Sequence, residues 1–274
     1  GQKTDGKASK WEDGGSSAIQ LTPRRLAFII FVIGDGYGAI TSLSKPLAVH
    51  PRPRIALFGG SFDPVHKGHL EVARRACMQF GLDQVIFTPA ATPPHKVGKA
   101  LAPGSARLAM LELATSEDPR WEVSDAEIRR AGTSFTIDTL RALAGVEGGD
   151  QAPMLHMILG SDNLPGLPAW REVEEVLSIA QPIVAWREGT PDEHLAALDG
   201  RLPGHLVERL SEGFMRLPPF PGSATELRRK VAAGQVTAEE LPEGILEVIE
   251  REGLYGAASP GAIWIKEHDN HDCQ

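Results

Sequence analysis

The chain has 274 residues, of which 42% are hydrophobic and 23% charged, and its formal net charge is −8 at pH 7. This is enough apolar material for the core of one large domain or two small ones. The acidic balance excludes a general nucleic-acid binder, which needs a basic face, but it is compatible with a local anion pocket. Two cysteines, Cys77 and Cys273, predict neither a disulfide framework nor a cysteine-rich zinc site, and they favour a reducing, cytoplasmic location.

Residues 1–53 differ in composition from the rest of the chain. Gly1–Gln20 are polar and rich in Gly, Ser and Lys, which predicts disorder. Leu26–Ile33 are strongly apolar and follow two arginines, an order that a signal peptide would also give. The apolar run ends after eight residues, too few to span a membrane. We therefore expect a disordered or poorly packed extension over residues 1–53 and no membrane partner, with export or anchoring as the alternative.

From Arg54 onward, short apolar runs alternate with amphipathic helical stretches, a pattern typical of an open parallel sheet. The first predicted strand, Ile55–Phe58, runs into the turn Gly59-Gly60-Ser61-Phe62-Asp63-Pro64-Val65-His66-Lys67-Gly68-His69, and a helix follows over Leu70–Cys77. A strand, a tight turn and a helix N-terminus in this order direct backbone N–H groups at an anion above the strand. The glycine pair lets an anion approach the backbone, and Gly68 leaves space for a ligand over the turn.

The two histidines of this turn, His66 and His69, are three residues apart and fall on one side of the helix. Taken singly, a histidine pair or a glycine pair is more often an ordinary surface or turn feature. The turn is neither a Walker A loop, which ends in Gly-Lys-Ser/Thr, nor a dinucleotide fingerprint. A metal site at the histidines would need a third ligand at a recognisable spacing, and we find none in the sequence.

The second strand, Gln84–Pro89, leads into a proline-stiffened loop that carries His95 and Lys96. Because the carboxyl ends of parallel strands share one edge, this loop is expected beside the first turn, although a plain surface loop explains it equally well. Ser105 is predicted to cap a helix over Arg107–Ala114 with an apolar stripe in the core.

A short strand at Trp121–Ser124 precedes a further helix, which Thr133 or Ser134 can cap. The N–H groups of its first turn, around Thr136, could bind a small carboxylate, or this residue could simply belong to the cap.

The next strand, Met154–Gly160, brings Asp162 to the same edge, either as a ribose acceptor or as a helix cap. Trp170 offers an indole there, for packing or for stacking. The fifth strand, Gln181–Arg187, ends in an arginine.

The last third of the chain contains a second candidate anion site. A short strand at Phe214–Leu217 and a turn lead to a helix that opens at Ser223, which forms a capping-box pattern with Glu226. Thr225 and Arg228 fall on nearly one face of this helix and can reach the same anion. Two helix N-termini after two different strands would thus hold one polyphosphate. An amphipathic helix is predicted at Leu241–Arg251, and Gly253–Tyr255 closes the domain.

Taken together and in order, these segments resemble the bacterial nicotinate-nucleotide adenylyltransferases of the HxGH nucleotidyltransferase superfamily. The matching segments are GGSFDPVHKGHL at Gly59–Leu70, PxxxPPHK at Pro89–Lys96, RLAMLELA at Arg107–Ala114, EIRRAGTSFTIDTL at Glu127–Leu140, GSDNLPGLPAW at Gly160–Trp170, SATELR at Ser223–Arg228 and REGLY at Arg251–Tyr255. Two positions depart from the family pattern, which usually has Ile at Gly222 and Tyr at Phe135.

The resemblance implies an α/β, Rossmann-like doubly wound parallel sheet with helices on both faces over residues 54–256, followed by a tail at 257–274. It implies transfer of the adenylyl group of ATP to nicotinate mononucleotide, which yields deamido-NAD and pyrophosphate in NAD biosynthesis. Another acceptor, nicotinamide mononucleotide or phosphopantetheine, and a non-catalytic nucleotide-binding module remain alternatives.

The resemblance also implies roles for individual residues. The catalytic residues would be His66, His69 and Arg228. The ATP-binding residues would be Gly60, Ser61, Phe62, His66, His69, Gly160, Asp162, Ser223, Thr225 and Arg228. The substrate-binding residues would be His95, Lys96, Thr136, Trp170 and Arg187. Mg²⁺ would accompany ATP, coordinated by phosphate and water rather than by a protein cage. The expected partners are these small molecules, and a homo-oligomer is compatible with the sequence.

Overall fold

The computed structural model describes residues 52–92, 101–145, 152–220 and 222–257. The predictions for the N-terminal extension up to residue 51, for His95 and Lys96, and for the tail beyond residue 257 lie outside the described residues. No helix in the described part of the chain is long and apolar enough to cross a membrane.

Six parallel strands form a single sheet with the order β3-β2-β1-β4-β5-β6. The strands are β1 Arg54–Gly60, β2 Gln84–Pro89, β3 Trp121–Val123, β4 Met154–Gly160, β5 Gln181–Trp186 and β6 Phe214–Arg216. The strand order reverses between β1 and β4, and the register pairs Phe58 with Ile158, so the ends of these two strands lie side by side. This is the doubly wound arrangement predicted from the sequence, in which ligands bind at the carboxyl edge where the order reverses.

Helices connect the strands and cover the sheet. They are α1 Lys67–Phe80, α2 Gly104–Thr115, α3 Ala126–Arg130, α4 Thr136–Ala144, α5 Val173–Ile179, α6 Pro191–Ala196, α7 Gly204–Ser211, α8 Ala224–Ala232 and α9 Ile245–Arg251, with 3₁₀ helices at Ser161–Ala169 and Leu254–Gly256. Alternate residues of β1 point to opposite faces. Ala56 and Phe58 join the core cluster that α1, α2, α8 and α9 build, whereas Ile55 and Leu57 are buried outside that cluster. Burial on both faces explains why the central strands are continuous apolar runs.

Two capping predictions require correction. Ser105 does not cap α2: Arg107 N–H donates to the Pro103 carbonyl at 3.1 Å, so the first turn closes earlier and Pro103 is the N-cap. Neither Thr133 nor Ser134 caps α4, because the N-cap is Phe135 and the Ser134 hydroxyl accepts from Ala91 N–H at 3.0 Å. The Ser134 side chain is thus directed at the loop that follows β2 and does not cap the first turn of its own helix.

Two further helix starts differ from the predictions. Ser223 caps α8 as predicted, accepting from Glu226 N–H at 3.2 Å, but the Glu226 carboxylate pairs with Arg229 at 2.8 Å instead of returning to the cap. The last helix begins at Ile245 rather than Leu241, because Gly244 adopts the left-handed conformation with φ of 75° immediately before it.

Candidate active site

The loop between β1 and α1 places two imidazoles together at the carboxyl edge of the sheet. His66 is the N-cap of α1, and its N–H donates to His69 Nδ1 at 3.2 Å. The two rings are stacked with centroids 3.7 Å apart. The prediction that both histidines lie on one side of the first helical turn is confirmed. Sequence spacing alone permits this pairing, but the extended backbone of His66 brings the rings into contact.

The floor under the histidines is aromatic. Phe62 is 1% exposed, and its ring packs edge-on against His69 at 5.0 Å and against Phe58 at 5.5 Å. A Cβ at Gly60 would lie 3.1 Å from Cζ of this ring, so the glycine permits the phenyl group to cross the loop. The side chain of Phe62 is therefore part of the core, and the predicted contact of this residue with ATP would have to be made by its backbone.

The His66 ring has an aromatic neighbour besides His69. The ring of Phe220 stacks on His66 with centroids 5.2 Å apart and planes 13° apart, and the Arg187 guanidinium lies 5.7 Å from the Phe220 centroid. The sequence reasoning missed Phe220, although an aromatic residue in the proline-rich run just before the Ser223 cap was a usable signal. The sequence predicted that Arg187 binds the substrate. The structure places Arg187 next to the stacked rings of His66 and Phe220.

The space over Gly68 is filled by protein rather than left open, contrary to the prediction of room for a ligand there. A Cβ at Gly68 would lie 2.9 Å from His66 Nδ1 and 2.9 Å from Phe220 Cδ1. The missing side chain thus allows both rings to pack against the first turn of α1.

We expect Gly68→Ala to lower kcat/KM by about tenfold or more, because displacement of a positioned group by a fraction of an ångström weakens catalysis steeply. The matched control is Gly204→Ala in the first turn of α7, where an added Cβ meets nothing within 4 Å. Steady-state kinetics and thermal melting of both variants measure the difference. Equal activity in the two variants would contradict the tight packing of His66 against Phe220.

His66 is a neutral imidazole at physiological pH. The side chain is 6% exposed, and Nδ1 is buried without a hydrogen-bond partner among the described residues. Burial, with a smaller contribution from the charge of Arg187, lowers the pKa of His66 from its ordinary value of 6.5 to about 4. Any contact between this ring and a phosphate is therefore made by a neutral N–H donor and not by an imidazolium cation.

A depressed histidine pKa makes folding stability depend on pH. The unfolded chain binds a proton at His66 near pH 6.5, whereas the folded protein binds it only near pH 4. Protonation therefore favours the unfolded state, and the contribution of His66 to the free energy of unfolding is fully present only above pH 6.5. We expect stability to fall by about 3 kcal/mol as the pH drops across this interval. NMR titration of the His66 ring, with urea unfolding at several pH values, measures both effects. Arg187→Ala should raise the pKa of His66, and a ring that titrates near 6.5 in the wild type would contradict the burial argument.

The start of α8 adjoins the same loop. Arg228 Nη1 donates to the main-chain carbonyl of Asp63 at 2.7 Å, and Nη2 donates to Thr225 Oγ1 at 3.1 Å. Thr225 and Arg228 thus share one helix face, as their spacing predicted. Because Asp63 belongs to the loop that carries both histidines, the structure brings the beginnings of α1 and α8 to one place.

Two buried charged residues hold this arrangement and were not singled out in the sequence. Asp63 is 2% exposed, and its Oδ1 accepts from the Tyr255 hydroxyl at 2.6 Å and from Ala102 N–H at 3.2 Å. Arg107 is also 2% exposed, and its Nη1 donates to the carbonyls of Ser61 at 2.9 Å and Ala90 at 2.8 Å. Burial lowers the pKa of the Arg107 guanidinium, which the nearby carboxylate partly offsets. An arginine inside the apolar stripe of α2 was the available signal.

The remaining predicted residues lie at the ends of β4 and α4. Gly160 is the last residue of β4, and Asp162 is exposed in the 3₁₀ helix that follows, where its Oδ1 accepts from Asn163 at 3.2 Å. Thr136 is the first residue of α4 and is half-buried. Trp170, also half-buried, ends the 3₁₀ helix.

Arg171 connects the segment after Trp170 with the start of α4. Its guanidinium lies 4.9 Å from the centroid of Phe135, and Nη1 is 3.7 Å from Asp138 Oδ2. The sequence reasoning did not identify Arg171. Because of this contact, the helix start at Thr136 and the segment that carries Trp170 lie next to each other.

Metal ligands are not grouped in the described part of the chain. No cluster of three or more His, Cys, Asp or Glu side chains there could hold a metal ion. The acidic side chain of the loop between β1 and α1, Asp63, is engaged by Tyr255 and Ala102. A divalent cation at this site would have to be coordinated mainly by its nucleotide and by water.

Residues 57–230 match the family model described as Cytidylyltransferase-like. The chain is 40% identical over 205 residues to a "Probable nicotinate-nucleotide adenylyltransferase" of Roseiflexus sp. (strain RS-1), which covers 73% of this chain and 97% of the relative. It is 37% identical over 206 residues to a protein of the same name from Desulfitobacterium hafniense (strain DSM 10664 / DCB-2), covering 75% and 97%. In fold it resembles the Plasmodium falciparum nicotinic acid mononucleotide adenylyltransferase complexed with NaAD, with a TM-score of 0.57, 15% identity and coverage of 75% and 98%.

Proposed function

Because this chain belongs to the nicotinate-nucleotide adenylyltransferase family, we propose that it transfers the adenylyl group of ATP to nicotinate mononucleotide. The products are deamido-NAD and pyrophosphate, and the reaction is a step of NAD biosynthesis. The observation that carries the proposal is the 2.7 Å hydrogen bond from Arg228 Nη1 to the carbonyl of Asp63. It joins the start of α8 to the loop of His66 and His69, which is what a shared triphosphate site requires.

The chemistry needs no covalent enzyme intermediate. A phosphate oxygen of the mononucleotide attacks the α-phosphorus of ATP in line, the bond to the β-phosphate oxygen breaks, and pyrophosphate leaves. Such a transfer depends on positioning and on stabilisation of the developing negative charge.

In this chain three kinds of donor stabilise the developing charge. Arg228 supplies a guanidinium, His69 and the neutral His66 supply imidazole N–H groups, and the N-termini of α1 and α8 supply backbone N–H groups. Gly60, Ser61 and Phe62 contribute backbone groups of the first loop, and Ser223 and Thr225 flank the start of α8. Gly160 and Asp162 receive the ATP ribose.

The acceptor is assigned to the other end of the site. Thr136 offers its backbone N–H at the start of α4 to the nicotinate carboxylate, and Trp170 lies against the pyridine ring. The contact between Arg171 and Phe135 supports this pairing because it holds the two segments together. His95, Lys96 and Arg187 are assigned to the mononucleotide phosphate on the strength of their positive or hydrogen-bonding side chains.

Mg²⁺ is proposed as the ion that accompanies ATP. The donor set fits an ion that keeps several waters and binds phosphate oxygens, because Asp63 is already engaged by protein donors. When bound, the ion would neutralise part of the triphosphate charge. We further propose a cytoplasmic location, which the free, buried thiol of Cys77 favours. A homo-oligomer stays a prediction, which analytical ultracentrifugation measures.

Pyrophosphate release with a panel of acceptors tests the proposal. We expect turnover with ATP and nicotinate mononucleotide, and much slower turnover with nicotinamide mononucleotide or phosphopantetheine. Equal rates with the two pyridine mononucleotides would contradict the nicotinate assignment. Binding of ATP without pyrophosphate release for any acceptor would identify a nucleotide-binding module instead of an enzyme.

A further inference from the structure

The last described turn of the chain reaches back into the candidate active site. Tyr255 lies in the 3₁₀ helix Leu254–Gly256, after α9, and its hydroxyl donates to Asp63 Oδ1 at 2.6 Å, across 192 positions of sequence. Its backbone has φ of 58° and ψ of 19°, in the left-handed region that costs energy for a residue with a side chain. Such a conformation persists only where surrounding contacts hold it, and here Leu254 is buried in the core beside it.

The acceptor of this hydrogen bond also contacts Arg228. The main-chain carbonyl of Asp63 accepts from Arg228 Nη1 at 2.7 Å, and Oδ2 of the same residue lies 3.8 Å from Nη1. Tyr255 and Ala102 N–H both bind the other carboxylate oxygen, Oδ1. The Tyr255 hydroxyl and Ala102 N–H therefore hold the Asp63 carboxylate together, and this carboxylate lies beside Nη1 of Arg228.

The chemistry of the Tyr255 hydroxyl and of the Arg228 guanidinium supports a positioning role. Burial and the neighbouring carboxylate of Asp63 raise the pKa of the Tyr255 hydroxyl far above its ordinary value, so it stays protonated and donates throughout the usable pH range. The contacts with Asp63 and Thr225 engage Nη1 and Nη2, each through one of the five N–H donors of the planar guanidinium. A guanidinium held in this way presents a fixed set of donors to a phosphate instead of sampling many rotamers.

We propose that Tyr255 and Asp63 are positioning residues that orient Arg228 for the ATP triphosphate, so that the C-terminal turn is a functional part of the nucleotide site. The inference rests on the proposed adenylyl transfer and specifies which nucleotide contact depends on these two residues. Neither side chain has to touch the substrate. Both act through the guanidinium, and their removal should affect ATP and leave the mononucleotide unaffected.

Tyr255→Phe, which removes only the hydroxyl, tests this role. A hydrogen bond to a charged group typically carries enough energy for a change of about tenfold, so we expect the KM and the Kd for ATP to rise by about this factor. The KM for nicotinate mononucleotide should stay the same. Thr115→Val is the matched control, because Thr115 is a buried hydroxyl that binds the Leu111 carbonyl at 2.8 Å within α2.

A double-variant cycle separates positioning from simple structural support. In an Arg228→Ala background, Tyr255→Phe should change the Kd for ATP less than twofold, because the group that it positions is gone. Calorimetric titration with ATP alone gives this Kd without turnover. Asp63→Ala removes the carboxylate that the Tyr255 hydroxyl and Ala102 N–H bind, and it keeps the main-chain carbonyl that binds Arg228. It is therefore expected to raise the Kd for ATP in the same way and serves if Tyr255→Phe does not fold.

The outcomes distinguish the proposed adenylyl transfer from the positioning role of Tyr255 and Asp63. A wild-type protein that releases no pyrophosphate with any acceptor contradicts the proposed function. A fully active wild type whose Tyr255→Phe variant behaves like Thr115→Val overturns the positioning role alone. The positioning role is also overturned if Tyr255→Phe weakens ATP binding as much in the Arg228→Ala background as in the wild type. Such a loss would come from the fold and not from the guanidinium.

Discussion

His69→Ala is expected to lower kcat/KM by about 10²–10³, equivalent to about 3–4 kcal/mol of transition-state stabilisation. His69 Nδ1 accepts from His66 N–H at 3.2 Å, so the ring proton of the neutral imidazole resides on Nε2. That nitrogen becomes a donor of fixed direction, backed by the ring of Phe62 at 5.0 Å. A donor that is already oriented stabilises the developing phosphate charge without reorganisation during the reaction.

Two further variants make the result specific. His69→Asn can keep an acceptor near the position of Nδ1 and so preserve the contact with His66, yet it should still lose most of the activity because the Nε2 donor is removed. His205→Ala on α7 is the control, because this histidine is exposed and lies outside the site. Pyrophosphate release under steady-state conditions compares all three with the wild type. Wild-type activity in His69→Ala would remove the histidine pair from the mechanism.

Arg228→Ala is expected to lower kcat/KM by about 10²–10³ as well, with the loss concentrated in the use of ATP. The guanidinium is one-third exposed, and it is anchored by Asp63 and Thr225 at the start of α8. Arg228→Lys should recover only part of the activity, because an ammonium group keeps the charge and loses the planar set of donors that matches phosphate oxygens.

The neighbouring arginine provides the control for this prediction. Arg229 has a side chain that is 68% exposed and pairs with Glu226 on the outside of α8. Arg229→Ala removes the same charge one residue away, so it should leave kcat/KM within about twofold and stability nearly unchanged, as is usual for exposed ion pairs. Equal losses in the two variants would show that general charge, rather than the position of Arg228, matters.

Local sequence patterns predicted the sheet and the first loop well. The four central strands β1, β2, β4 and β5 were visible as apolar runs, because strands covered on both faces carry little but apolar residues, whereas the three-residue edge strands β3 and β6 contain Glu122 and Arg216. The location of His66 and His69 on one side of the first turn of α1 followed from their spacing, whereas the stacking of the two rings depends on the extended backbone of His66. Capping was predicted less well, since Ser134 and Ser105 are good cap residues by type and yet only the observed backbone decides which residue precedes the helix.

The buried charges of the site could not be located from local patterns. Asp63, Arg107 and Tyr255 are each compatible with an ordinary loop, a surface helix position or a chain end when read along the sequence. Their meaning comes from partners far away, as in the bond from Tyr255 to Asp63 and the bonds from Arg107 to Ser61 and Ala90. A buried charge is tolerated only with such partners, so it is recognised only after the chain is folded.

The sequence by itself therefore determined the order of strands and helices, the tight turn between β1 and α1, and the side chains whose chemistry suits an anion, because these depend on short-range periodicity and residue type. Tertiary structure alone decided that Arg228 lies at the loop of the histidines, that Phe220 covers His66, and that Tyr255 closes the network around Asp63. These contacts join residues more than 150 positions apart, and only the packing of the helices on a common sheet sets their distances.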